Sequence, residues 1–335
     1  MKKWLAITGI VVFIVAFSNV DHRTIDPKEV KTAIEKSLPL LQYSNHTFIA
    51  NSGGCHSCHG QGLGSVTFSL ANEKGFNVPD SSINEGLTSI IDTWKLRTAY
   101  LAQNEDPAAV IVGGGYDLWA LDATHTPSTK MIELLTKNML QRQRSDGSWV
   151  SPNKRPPLEY YTFSATALTA RGIQHYLPPI FDKEVQQRLN RARNWLMNTT
   201  PVTNEEKVFQ ILGLVWTNGD TAFIHQQAKK LAATQKDNGG WSQLESLPAD
   251  AYATGQCLYA LYQSGYLTNT SAIYQKAVAF LLQTQSPDGS WNVQTRSFPS
   301  VPYVNSGFPH GDNQFISAAG SNWATMALLL AVNKE

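Results

Sequence analysis

Apolar positions recur at helical spacing along most of the chain, and they do so in two unlike kinds of segment. Ile132–Leu140, Ala228–Thr234 and Ala277–Thr284 place apolar residues three and four apart, with Lys, Arg, Gln and Glu on one side of these segments and their flanks. Each is followed by a segment that is apolar on nearly every face, as in Ala324–Val332. A helix with one polar side belongs at the surface, and one that is apolar all round belongs inside. The alternation therefore predicts outer helices, each followed by an inner one. No stretch alternates with a period of two strongly enough to argue for a sheet.

The turns between the two kinds of segment are near copies. Gln143–Trp149 reads QRSDGSW, Gln235–Trp241 reads QKDNGGW and Gln285–Trp291 reads QSPDGSW. Asp-Gly or Asn-Gly ends the outer helix, because these residues tolerate the left-handed backbone that stops it. The Trp is expected to pack back over the helix end while the Gln amide bonds exposed backbone groups there. The inner helices share a start: Ser164-Ala165-Thr166, Tyr252-Ala253-Thr254 and Trp323-Ala324-Thr325. Weaker copies extend the series through Gln42 to Phe48, through Gln103 with an inner helix around Tyr116–Ala123, and through the pair Val185–Met197 and Lys207–Trp216. Outer helices are thus expected near residues 28, 87, 129, 183, 222 and 271, at intervals that suit a helix pair per repeat. Six pairs closing in a ring make one all-α (α/α)6 toroid domain over residues 25–335.

The Gln-x-x-(Asp/Asn)-Gly-x-Trp copies resemble the QW repeats of the squalene and oxidosqualene cyclases. The toroid resembles the α/α domains of those enzymes and of the protein prenyltransferases. In the cyclases the repeat is a structural element, so the resemblance implies the fold far more than the reaction. It also implies where to look, because class II terpenoid cyclases open an inner helix with Asp-x-Asp-Asp-Thr, whose middle Asp protonates the substrate. Aligned on Thr166 the chain has Thr162, Phe163, Ser164 and Ala165, and aligned on Thr325 it has Ser321, Asn322, Trp323 and Ala324, with no acid in either. Aligned on Thr254 it keeps Asp250 but has Tyr252 where the proton donor would stand. Those cyclases also use a second α-domain, and this chain has length for one. The prenyltransferase zinc set of Asp, Cys and His finds Asp250 alone, with Tyr252 in the Cys place and Cys257 two turns deeper. Neither activity is expected, and whether the protein is an enzyme stays open.

Composition narrows the classes further. Twenty-seven basic residues balance 26 acidic ones, and no basic run exceeds Lys229–Lys230, so no nucleic-acid partner is expected. Lys2 and Lys3 precede an uncharged, mostly apolar run from Trp4 to Val20, with Ala16 and Ser18 small ahead of a cut after Ser18. Residues 1–20 read as a secretory signal, or as an anchor through residues 4–20 if uncleaved. The expected location is extracytoplasmic or periplasmic, with membrane contact only through that segment. Three cysteines are too few for a disulfide framework, and Cys257, inside the apolar Gly255–Leu261, reads as a core residue.

The remaining two cysteines lie in GGCHSCHGQG, residues 53–62, as a Cys-x-x-Cys-His run of Cys55, Cys58 and His59. Such a run attaches c-type haem: two thiols add to the vinyl groups and the His ligates iron. On a helix the three would share one face, at i, i+3 and i+4. The repeat count sets them at the head of the first inner helix, where related enzymes keep their acids. Three alternatives stand beside covalent haem c. They are a zinc site completed by His56, His46 or an acid, a Cys55–Cys58 disulfide, and plain packing at a helix start.

A second metal ligand or distal donor is expected from the long insertion Arg296–Ile316, rich in Pro and aromatics, which carries His310, Asp312 and Gln314. His310 is the candidate, with His125 weaker. Tyr303, Phe308, Phe315 and the Tyr160-Tyr161 pair are expected to wall the mouth or plug the axis. The leading function is an exported haem c protein in electron transfer or haem-dependent redox or sensing, with a redox partner or a small apolar ligand. The alternatives are a non-haem ligand-binding or interaction module and a metal-assisted enzyme at the Cys55–His59 mouth.

Overall fold

The computed structural model describes residues 25–107, 110–298 and 303–332, with Cys58 and His59 described in backbone only. The leader read in residues 1–20 lies outside the described residues. Outer helices are α1 (Pro27–Asn51), α3 (Asp80–Lys95), α6 (Lys130–Gln141), α8 (Asp182–Asn198), α10 (Thr221–Ala232) and α12 (Ala272–Thr284). Inner helices are α2 (Leu63–Glu73), α5 (Val110–Ala123), α7 (Thr162–Tyr176), α9 (Asn204–Trp216), α11 (Ala251–Gln263) and α13 (Gln314–Ala331). A single extra turn, α4 (Thr98–Ala102), follows α3. Each inner helix packs on the next in chain order, and α13 packs back on α2 and α1, so the ring closes as an (α/α)6 toroid. Among the described residues no strand forms, only isolated bridges at Arg155–Glu159 and Trp241–Asp250. No helix there is long and apolar enough to cross a membrane.

The repeated Gln and Trp do one job three times. Each Trp indole donates to a carbonyl of its own outer helix: Trp149 to Met139 at 2.7 Å, Trp241 to Leu231 at 3.0 Å and Trp291 to Leu281 at 2.8 Å. Each Gln amide donates both within its turn and to the next outer helix. Gln143 reaches Arg188, Gln235 reaches Ile273, and Gln285 reaches Ala33 of α1 at 2.9 Å. That last bond ties the sixth unit to the first. The turn glycines must be glycine, since Gly239 has φ +88° and an added Cβ would stand 2.4 Å from the Lys276 carbonyl oxygen. Gly289 stands in the same way against Lys36. A side chain there would both strain the backbone and push neighbouring outer helices apart.

Four expectations change. Gln42 to Phe48 is not a turn, because α1 runs unbroken through it, and Gln42 instead accepts from the Ser82 hydroxyl. α3 starts at Asp80 rather than near 87: its first six residues, DSSINE, carry Ile83 as their one apolar side chain, so apolar periodicity begins later than the helix does. The last inner helix begins at Gln314, and its partner for the repeat Trp is Ser321, not Thr325. The backbone N–H of Trp149 donates to Thr166 and that of Trp241 to Thr254, but that of Trp291 donates to the Ser321 hydroxyl at 3.1 Å. Thr325, one turn on, pairs with Ser37 of α1 at 2.8 Å. The axis is indeed plugged, but by residues of the inner helices themselves. Trp119 meets Trp216, Trp323 and Tyr259 at ring separations of 5.2, 5.7 and 6.0 Å, with Phe209 against Trp216 and Trp323. Such contacts fill the ring's centre with apolar surface, which leaves the rim for chemistry.

Candidate functional site

The Cys-x-x-Cys-His run does not begin the first inner helix. Gly53 and Gly54, at φ +69° and +89°, end α1, and residues 55–57 are irregular. A π-helical turn, Cys58–Gly62, then leads into α2 at Leu63. The Ser57 carbonyl makes that turn by accepting the amides of Gly60, Gln61 and Gly62. The placement of Cys55, Cys58 and His59 on one face of a regular helix is therefore corrected, because Cys55 precedes any helical backbone. The run lies on the rim, and Cys55 is exposed. A Cβ added at Gly53 or Gly54 would meet nothing within 4 Å, so the space beside Cys55 is open.

Residues between and behind the motif positions hold this turn. Gln61, fully buried, accepts the Ser57 amide at 2.7 Å and donates to the Asn45 carbonyl of α1 at 2.9 Å. Ser52 donates to the Cys55 carbonyl at 2.7 Å, and Ser89 of α3 to the Gly54 carbonyl at 3.2 Å. His56 turns inward, its Nε2 2.7 Å from Oδ2 of Asp117 on α5, with side-chain exposures of 6% and 0%. The same oxygen accepts the Trp94 indole N–H at 2.7 Å. Asp117, Trp94 and Gln61 escaped the sequence reading. The signal for Asp117 was present, as an acid midway along the otherwise apolar VIVGGGYDLWAL of an inner helix.

His310 is held elsewhere. Its Nε2 lies 2.8 Å from the Ser290 hydroxyl, which also donates to Asp288. That turn packs against Lys36, about four helical turns along α1 from Asn51. The insertion does reach the rim beside the run, since Asn51 donates to the Asn305 carbonyl at 2.8 Å, but His310 is not the residue it brings there. Phe315 packs edge-on against Phe48 and Tyr303, beside α1 rather than across the axis. His46 is exposed and pairs with Glu85. Among the described residues no three His, Cys, Asp or Glu side chains converge to hold a metal. Cys257 is buried against Asn204, as a core residue should be, and burial raises its thiol pKa.

A second polar cluster occupies the inner-helix starts across the ring. Glu205 opens α9 and is fully enclosed, and the Tyr252 hydroxyl donates to its Oε2 at 2.9 Å. Burial pushes its carboxyl up to about 8, against the Gln256 amide, Tyr252 and Arg296, which act the other way. Asp250 caps α11 by accepting the Ala253 amide at 2.8 Å and the Gln243 amide at 2.9 Å. Burial lifts it to about 6. Arg296, from the insertion, donates to Gln243 at 2.7 Å and so lies over both acids. Next to it an open groove of about 410 Å³ is lined by Asn153, Lys154, Tyr160, Tyr161 and Glu206. A neutral carboxylic acid here can donate a hydrogen bond at pH 7.

No protein-family profile matches the chain. Solved structures do. The type II terpene cyclase MstE from Scytonema aligns with a TM-score of 0.56 at 14% identity, over 90% of this chain and 98% of that one. A protein from Actinoplanes aligns with a TM-score of 0.59 at 13% identity, over 91% and 100%. A protein from Salmonella enterica described as a possible member of the GH105 family aligns at 0.55 and 13%, over 97% and 99%. At such identities the likeness is one of fold: the chain is an α/α toroid of the architecture found in type II terpene cyclases and GH105-like proteins.

Proposed function

We propose that the protein carries one covalent c-type haem, joined through Cys55 and Cys58 and ligated by His59, and acts outside the cytoplasm in electron transfer or haem-dependent redox sensing. The observation that carries this reading is the division of labour along residues 52–62. His56 and Gln61 tie the turn to α5 and α1, Ser89 of α3 bonds it at Gly54, and Ser52 and Ser57 bond within it, whereas Cys55 makes no such side-chain contact and faces open space. Residues that the fold uses are buried and bonded, so an exposed thiol on a preordered turn is available for something else. Bound haem would supply a one-electron couple. The chain's own residues would hold the attachment turn still and leave one edge of the site accessible to a partner. The filled axis agrees with chemistry at the rim rather than on a long substrate inside the ring.

The test is co-expression of the full chain with a cytochrome c maturation system, followed by a pyridine haemochrome spectrum of the denatured protein. One covalent haem per chain is expected, and Cys58→Ala should release most of the haem to acid–acetone. No covalent haem, under conditions that mature a control cytochrome, overturns the proposal. Stoichiometric zinc in the same haem-free protein would favour the metal-site alternative instead.

A further inference from the structure

The structure assigns Asp117 as the positioning residue of the Cys55–His59 turn: its carboxylate, bonded by Trp94 and by His56, fixes the run against α5 from within the ring. The consequence for haem rests on the function proposed above, but the anchoring itself does not. A carboxylate at 0% exposure on an inner helix is costly unless it is bonded, since desolvation alone costs several kcal/mol per ion, and here Oδ2 carries both bonds while Oδ1 has none among the described residues. The repeat turns are tied by Gln, Trp and Thr or Ser, and none of those bonds touches Asp117. Its Oδ2 takes two short bonds, from Trp94 on the outer helix α3 and from His56, the residue next to Cys55. With a carboxylate as partner, His56 Nε2 must carry the proton, so this bond specifies both the ring's orientation and its tautomer.

The approach is close on the other side as well. A Cβ at Gly62 would stand 3.3 Å from Cβ of Tyr116 and 3.4 Å from Oδ1 of Asp117, so the end of the π-turn is seated directly over the acid. The turn is therefore gripped within the motif through His56 and after it through Gly62, both against residues 116–117. A pair of attachment thiols and an axial His separated by so few residues can act together only if the backbone between them keeps one conformation.

Two readouts separate the anchoring from the haem. In the apo protein, hydrogen exchange at the Gln61 and Gly62 amides, both bonded to the Ser57 carbonyl, should quicken at least tenfold in Asp117→Leu and in His56→Leu. His56→Gln, which can still donate to the carboxylate, should recover most of the protection, and Asp92→Ala, at an exposed pair on α3, should change nothing. Should Asp117→Leu not fold, His56→Leu, which alters only the turn, still decides the matter. After maturation, His56→Leu should carry at least threefold less covalent haem per chain than wild type. Unchanged exchange in His56→Leu overturns the inference, whatever the haem content. Faster exchange in a protein whose wild type takes up no haem keeps Asp117 as the anchor and removes the haem proposal alone. Faster exchange with haem loading undiminished overturns the positioning role.

Discussion

Replacing Glu205 by Gln should remove a pH dependence of stability that the wild type shows above pH 6.5. The carboxyl ionises near 4.5 when exposed and near 8 in the folded protein, because burial disfavours its charged form. Between those values the unfolded chain has lost this proton and the native one keeps it. Stability therefore falls as pH rises, by about 1.4 kcal/mol per pH unit, and levels off above the folded value. Asp250 behaves in the same sense but is half titrated at about 6, so its change is nearly complete by about pH 7. His175, lowered mainly by burial, acts oppositely, adding stability as pH rises toward its ordinary value of 6.5. Above pH 7 little of either remains, and Glu205 itself lowers stability by about 1.6 kcal/mol from pH 6.5 to 8, the slope flattening as the folded value is reached. With a urea m-value of about 3 kcal/mol/M, the midpoint followed by tryptophan fluorescence should drop by about 0.5 M. Glu205→Gln keeps an oxygen to accept the Tyr252 hydroxyl and has nothing to titrate, so its midpoint should lack this fall. Equal pH slopes in the two proteins would refute a neutral Glu205.

Two further outcomes test how the ring is tied. Gly239→Ala forces φ +88° on an L-residue and sets a methyl 2.4 Å from the Lys276 carbonyl oxygen, so a loss of about 3 kcal/mol or more is expected in urea unfolding. Gln285→Ala deletes bonds to Gly289 and to Ala33, and at about 0.5–1.5 kcal/mol each should cost about 1–3 kcal/mol, with hydrogen exchange rising first along α12 and the start of α1. An effect confined to α12 would mean that this bond does not help close the ring.

Much of the architecture was legible because its causes are local. Asp-Gly after an amphipathic run marks a helix end wherever it occurs, and the three Gln–Trp turns recur with the same bonds. The expected outer-helix starts near 28, 129, 183, 222 and 271 fall within one residue of Pro27, Lys130, Asp182, Thr221 and Ala272. The failures share a cause too. Gln42 to Phe48 has the repeat's spacing but no Asp-Gly to end the helix, and α1 continues through it. On α13 both Ser321 and Thr325 offer a hydroxyl, and only packing decides which one faces Trp291.

By itself the sequence determined an all-α ring of helix pairs, because helical periodicity, turn chemistry and repeat spacing act over a few residues. It set the Cys-x-x-Cys-His run at the head of the first inner helix, whereas the structure puts it in the connection between the first outer and first inner helices. Only the tertiary structure decided how that run is presented, since its anchors lie far off in sequence: His56 meets Asp117 across 61 residues, and Asn51 meets Asn305 across 254. The same holds for the mouth acids. Glu205 and Asp250 have ordinary neighbours along the chain and become hard to ionise only when ring closure buries them beneath Arg296. Burial and long-range partners belong to the closed ring, and no local pattern carries them.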